Sequence, residues 1–222
     1  MEFFVGQNMW TDALVLNEHY SHSLPSFTCL VVGIRRKHKV TAACYFSNSA
    51  SGRWTEQLVE LSRLVKLKTE ETQLTQLISF GLKTIKKMKE SKYNLCISYA
   101  DYSRNHHGGI YQAASWNYHG KRKRRLSGFI LNGEFVHRRS AYSRFGSSSI
   151  DILKKHKGEP FYDDGKYLYW KALNKKGKAK AKKLELQKNE YPKPGLLERE
   201  NKEVQDYQIE SEQNKHNIQK LF

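Results

Sequence analysis

The stretch from Leu58 to Ala100 constrains the fold more than any other part of the chain. Leu58–Leu67 (LVELSRLVKL) alternates Val59 and Leu61 against Leu58, Glu60 and Ser62, and reads as a long strand. Beyond it, Leu74, Leu77, Ile78, Leu82, Ile85 and Met88 recur at spacings of three and four. That pattern predicts a helix over Thr69–Lys89 with one apolar face. Glu70 and Glu71 then fall in its first turn and lysines in its last, as the helix dipole favours. Asn94–Ala100 (NLCISYA) is a short apolar strand. Two strands joined through such a helix pair in parallel by a right-handed crossover. Upstream, Phe27–Ile34 and Val40–Phe46 flank the basic turn Arg35–Lys39 and read as a hairpin. The fold class is therefore α/β, with a central mixed sheet and flanking helices. His107–Trp116 is expected as a short helix opened by Gly108 and Gly109. Trp116–Gly120, Phe129–Leu131 and Tyr167–Trp170 are further short strands. Apolar periodicity stops near Gly195. Residues 1–195 are thus expected as one domain and residues 196–222 as a polar acidic tail, flexible or an exposed helix.

Charge then narrows the partner. The 222 residues carry a net +17, and the tail alone is −2, which leaves +19 on residues 1–195. A polyanion follows, and double-stranded DNA is the expected partner. One basic run is Lys121, Arg122, Lys123, Arg124 and Arg125. A second extends from Lys171 to Lys188 with Glu185 as its only acid, and is expected to form loops. Arg138 and Arg139 follow His137 and lie near Tyr142. Such cations position a duplex through phosphates without reading bases. The apolar segments are too short to span a bilayer, and MEFFVGQNMW lacks the features of a secretory signal. Cys29, Cys44 and Cys96 each sit in an apolar run, as expected of buried free thiols in a reducing cytoplasm. There is no G-x-S-x-G elbow, no C-x-x-C pair for zinc, and no D/N-P-P-Y/F motif of an adenine methyltransferase.

The order hairpin, long strand, helix, strand, short helix, strand resembles the acyltransferase fold of the GNAT superfamily, in which two parallel strands splay apart around the acyl donor. Here those strands are Leu58–Leu67 and Asn94–Ala100. A narrower resemblance is carried by HYSHSLP (His19–Pro25), ELSRLV (Glu60–Val65), SYAD (Ser98–Asp101), HHGGIYQAASWNYHG (His106–Gly120) and the later VHRRS and YPKP segments. Together they resemble the phage Mom family over about residues 15–195. The resemblance implies a DNA-modification enzyme that places an acetamido (carbamoylmethyl) group on the exocyclic N6 of adenine and so protects phage DNA from host restriction endonucleases. One feature departs from the superfamily: Leu64–Thr72 (LVKLKTEET) has no glycine loop to cradle a pyrophosphate, and it carries two glutamates. The donor is therefore left open between acetyl-CoA bound in another way and an aminoacyl-tRNA. The alternatives are a non-catalytic or nuclease-like nucleic-acid binder and a GNAT-like transferase acting on tRNA or protein.

Asp101, at a strand end, suits a general base or a cation ligand. His19 and Tyr20 with Asp101 make an O/N set suited to iron or a similar metal, and the Mom resemblance implies iron there. His106 and His107 are rivals for that role, or phosphate contacts. Tyr111 suits protonation of a leaving group. Ser98 is a weaker catalytic candidate, since three residues along a regular strand separate its face from that of Asp101. Arg63, mid-strand, suits a carboxylate or phosphate of the donor, or an ion pair with Glu60 or Asp101. Adenine N6 is hidden inside a duplex, so the base must flip out, and Trp116 and Tyr118 are candidates to receive it.

Overall fold

The computed structural model describes residues 1–49, 57–88, 92–102, 106–123, 125–147, 149–163 and 165–193. In chain order the elements are β1 (Glu2–Val5), α1 (Met9–Glu18), β2 (Thr28–Arg36), β3 (Lys39–Asn48), β4 (Leu58–Lys66), α2 (Leu74–Lys87), β5 (Leu95–Asp101), α3 (Gly109–Ala113) and β6 (Asn117–Lys121). Then come β7 (Arg125–Leu131), β8 (Glu134–His137), α4 (Arg138–Phe145), α5 (Ile150–Lys155), β9 (Glu159–Asp163), β10 (Lys166–Ala172) and α6 (Lys175–Lys183). Among the described residues, seven strands form a mixed sheet in the order β1-β2-β3-β4-β5-β10-β6. A three-stranded sheet, β8-β7-β9, is inserted between β6 and β10 and has a small core of Phe129, Val136 and Ala141. The expected acidic tail lies outside the described residues. No described helix is long and apolar enough to cross a membrane.

The predicted hairpin is β2 and β3, and the predicted crossover is β4-α2-β5. β4 and β5 pair in parallel only from Leu58↔Leu95 to Leu61↔Ser98, and beyond that the register ends. The two strands therefore part along the rest of β4, from Ser62 to Lys66, and this is the expected splay. One sheet face is covered by α2 and α3 through Leu77, Ile78, Ile85, Tyr111 and Trp116. On the other face α1 covers β3 and β4 through Leu14, Val15 and Tyr45, while Leu58, Leu95, Ile97 and Trp170 pack with Ala181 of α6.

Two expectations are corrected. The second helix begins at Leu74 rather than Thr69, so Glu70 and Glu71 belong to the preceding loop. Glu70 is fully buried there, 2.9 Å from Arg36 Nη2; it also accepts from the Thr72 N–H at 2.9 Å and from the Thr41 hydroxyl. A carboxylate held by these donors fixes the loop and keeps it out of the helix. The run from Lys171 to Lys188 is the end of β10 and helix α6, not loop: Asn174 caps the helix, accepting from the Gly177 N–H, and Gly177 and Ala181 turn inward. At the N-terminus, β1 and α1 carry no strong apolar rhythm. α1 is started by an Asn8/Thr11 capping box, in which each side chain accepts from the other residue's N–H at 3.0 Å.

Candidate active site

The parting of β4 and β5 opens a cavity of about 570 Å³ lined from both sheet faces. From the α2/α3 side come Leu74, Gly108, Gly109, Ile110 and Tyr111. From the opposite side come His19, Tyr20, Arg63, Tyr99 and His106. Gly108 takes φ +83, and a Cβ there would fall 2.2 Å from the Tyr169 ring, so only glycine lets α3 begin this close to β10.

Tyr111 is buried, which pushes its phenol well above the ordinary value and keeps it protonated. Ser98 Oγ lies 2.7 Å from the Tyr111 hydroxyl and 2.7 Å from the Leu61 carbonyl oxygen. The carbonyl can only accept, so the serine proton goes to it and Tyr111 donates to Ser98. When Tyr111 gives its proton elsewhere, Ser98 can turn its own toward the phenol. Ser98 thus serves as the partner of Tyr111.

Arg63 is anchored through Nε to the Ser23 carbonyl at 2.9 Å, Nη1 to the Ser62 carbonyl at 2.7 Å and Nη2 to Ser23 Oγ at 3.2 Å. These bonds do not exhaust its N–H donors. An ion pair with Asp101 is not what holds it. A bulge sets its direction: Phe46 faces Leu61 but Tyr45 faces Arg63, so Ser62 is the extra residue. The slip puts Glu60 and Arg63 on one face, where each acts on the other's ionisation. Burial raises the pKa of Glu60, opposed by Ser49, Arg63, Lys166 and Arg122. Sequence reading treated Glu60 only as an ion-pair partner; regular alternation hides its place beside Arg63.

His19 closes α1 as its C-cap and is buried. Burial and the nearby Arg63 lower its pKa to about 4, so its ring is neutral at neutral pH. Its Nδ1 accepts the Ser21 N–H at 3.2 Å and lies 2.8 Å from Ser21 Oγ. These contacts fix the ring through Nδ1. Asp101 does not line the cavity. Its carboxylate meets Lys166 at 3.5 Å, on the strand face of Ile97 and Tyr99, while Ser98 faces Tyr111. Among the described residues no three His, Cys, Asp or Glu side chains gather as a metal-binding group. The set His19, Tyr20 and Asp101 therefore does not fit iron in this arrangement.

Other expectations also move. Trp116 is fully buried and Tyr118 nearly so, both within the main core, so neither can receive a base without unpacking it. Arg122 leaves the surface run to donate to the Tyr99 hydroxyl at 3.1 Å, on the cavity wall, and Lys121 Nζ sits 3.4 Å from the Tyr102 ring centroid. Lys123 and Arg138 are exposed. Arg124 lies outside the described residues; Arg125 opens β7 and Arg139 lies in α4. Cys44 and Cys96 are buried free thiols, and Cys29 is partly buried.

A hairpin leading into a β-α-β crossover whose parallel strands part around a tyrosine-walled cavity is the arrangement expected of a GNAT-like fold. The chain belongs to the Mom protein family, whose model matches residues 7–193. No curated protein matches it. Among solved structures it is similar to an N-acetyltransferase from Staphylococcus aureus Mu50, with TM-score 0.46 and 11% identity over 78% of this chain and 97% of that one. An aminoglycoside 6'-acetyltransferase type Ii gives 0.46 and 12%, over 78% and 98%. A Bacillus subtilis acetyltransferase in complex with CoA gives 0.45 and 12%, over 78% and 99%.

Proposed function

We propose that the protein transfers an acyl-type (acetamido- or carbamoylmethyl-like) group to the exocyclic N6 of adenine in double-stranded phage DNA, shielding that DNA from restriction endonucleases. Membership of the Mom family supports acyltransferase-like DNA modification. The observation that carries the reading is the cavity itself: it reaches both faces of the sheet, with a protonated phenol on one wall and Arg63 and Tyr20 on the other. A donor and a flipped base can then meet inside it from opposite sides.

The N6 lone pair is delocalised into the ring, so N6 must lose a proton as its bond to the donor's acyl carbon forms, while the bond from that carbon to the CoA sulfur or to the tRNA ribose oxygen breaks. Tyr111 gives the departing group a proton, Ser98 turns its hydroxyl to donate a hydrogen bond to the resulting phenolate, and solvent restores the phenol's proton when the product leaves. Arg63 holds a carbonyl or carboxylate of the donor. Neither Asp101 nor Glu60 lines the cavity, so the N6 proton passes through water to one of these two carboxylates, which share the face of Arg63 and Tyr99. No step runs through a metal. The donor is acetyl-CoA, which releases the CoA thiol, or an aminoacyl-tRNA, which releases the tRNA ribose hydroxyl. Glu70, neutralised by Arg36, does not repel an anion as its position in the sequence implies; Glu71 is exposed.

Mass spectrometry of nucleosides from cells expressing the protein tests this. A heavier deoxyadenosine in DNA is expected. Unmodified DNA with modified tRNA would instead identify a transferase acting on tRNA, and no modified nucleoside at all would leave a binding protein.

A further inference from the structure

We infer that Tyr20, stacked on His19, is the surface that receives the extruded adenine; the inference rests on the DNA-modification reading above. A base outside its duplex is held by an aromatic face within a pocket. With Trp116 and Tyr118 buried in the core, that face must come from elsewhere. Tyr20 lines the cavity and is 37% exposed. Its ring lies 4.4 Å from that of His19 at 30°, and the His106 ring stands nearly perpendicular to it, with centroids 5.5 Å apart at 72°. The His19 ring behind it is itself fixed by Ser21, so the phenol is braced rather than left to swing. On the same side of the cavity, Arg122 bonds Tyr99, which brings a cation of the basic run to the mouth where the nucleotide's phosphate would arrive. Stacking needs the ring of Tyr20 and not its hydroxyl, which separates this role from metal ligation or acid catalysis.

The test compares wild type, Tyr20→Phe, Tyr20→Leu and Tyr20→Ala, expressed to equal levels. The readout is the fraction of modified deoxyadenosine in plasmid DNA after short induction, while it still grows linearly. Binding to an end-labelled duplex is followed by anisotropy, and melting midpoints check folding. Tyr20→Phe should stay within about threefold of wild type, and Tyr20→Ala and Tyr20→Leu should fall about tenfold to a hundredfold, the worth of one base–aromatic stack. Duplex binding should be nearly unchanged in all, because phosphate contacts supply it. Tyr20→Leu keeps bulk without a π face, so it decides the matter if Tyr20→Ala does not fold. Loss in Tyr20→Phe as deep as in Tyr20→Ala would assign the hydroxyl and overturn the inference, as would full activity in Tyr20→Leu. A wild type that leaves adenine unmodified would overturn the proposed function itself, an outcome distinct from loss confined to the variants.

Discussion

At the scale of single residues, the chemistry turns on how burial sets protonation. Tyr111 stands protonated at neutral pH because burial disfavours its phenolate, and the proposed proton donation to the leaving group starts from that state. Tyr111→Phe should therefore lower modification by about a hundredfold or more, while duplex binding stays level. His19 shows the same control with a measurable consequence for stability. Its pKa falls from 6.5 free to about 4 folded, so between those values the unfolded chain binds more protons. Stability should drop as pH falls from about 6.5 toward 4, and His19→Gln should flatten that part of a plot of melting midpoint against pH. An unchanged plot would mean that His19 is solvated in solution. Residue types were legible in the sequence: Tyr111, His19, Tyr20 and Arg63 do line one cavity. Their surroundings were not. The Ser21 bond that orients the His19 ring is set within a loop, and the burial of Trp116 depends on strands distant in sequence.

At the scale of elements, apolar rhythm revealed what is amphipathic and missed what is held by polar contacts. β4, α2 and β5 emerged because their apolar spacing is regular. The start of α2 did not, because Glu70 is claimed by Arg36 and Thr41 from the β2-β3 hairpin, more than one element away. These donors hold the Glu70 carboxyl well below its usual range. Its contribution is present above the unfolded value of 4.5 and is lost as pH falls below it. Glu70→Gln should cost about 3 kcal/mol in urea unfolding near neutral pH, with less difference from wild type at pH 3. The bulge at Ser62 was likewise invisible, since one extra residue leaves the apolar pattern of β4 nearly intact while it turns Arg63 to the side of Glu60.

At the scale of the whole molecule, charge composition pointed to a polyanion but not to where it binds. The two basic runs sit at different ends of the central strands. Lys121 and Arg122 lie where β5 ends and the cavity opens, since Lys121 pairs with Tyr167 and Lys166 with Asp101. α6 lies over the opposite end, with Gly177 against Asn94 and Lys180 reaching Gln57. If about six phosphates are neutralised, log affinity for duplex DNA should fall with log salt at a slope near −5. Replacing Lys121, Arg122 and Lys123 with alanine should flatten that slope by about 2–3, and replacing Lys176, Lys178 and Lys182 should alter it less. The reverse order would place DNA on α6, away from the cavity.

The central claim is that this cavity modifies adenine in DNA, with Tyr111 serving the leaving group. Its most direct test is the mass of deoxyadenosine released from the DNA of cells expressing either the wild type or Tyr111→Phe at equal levels. A heavier deoxyadenosine in the wild-type sample, reduced about a hundredfold or more in the variant, is the predicted result. Deoxyadenosine of ordinary mass from wild-type cells, or equal modification by the two proteins, would contradict it.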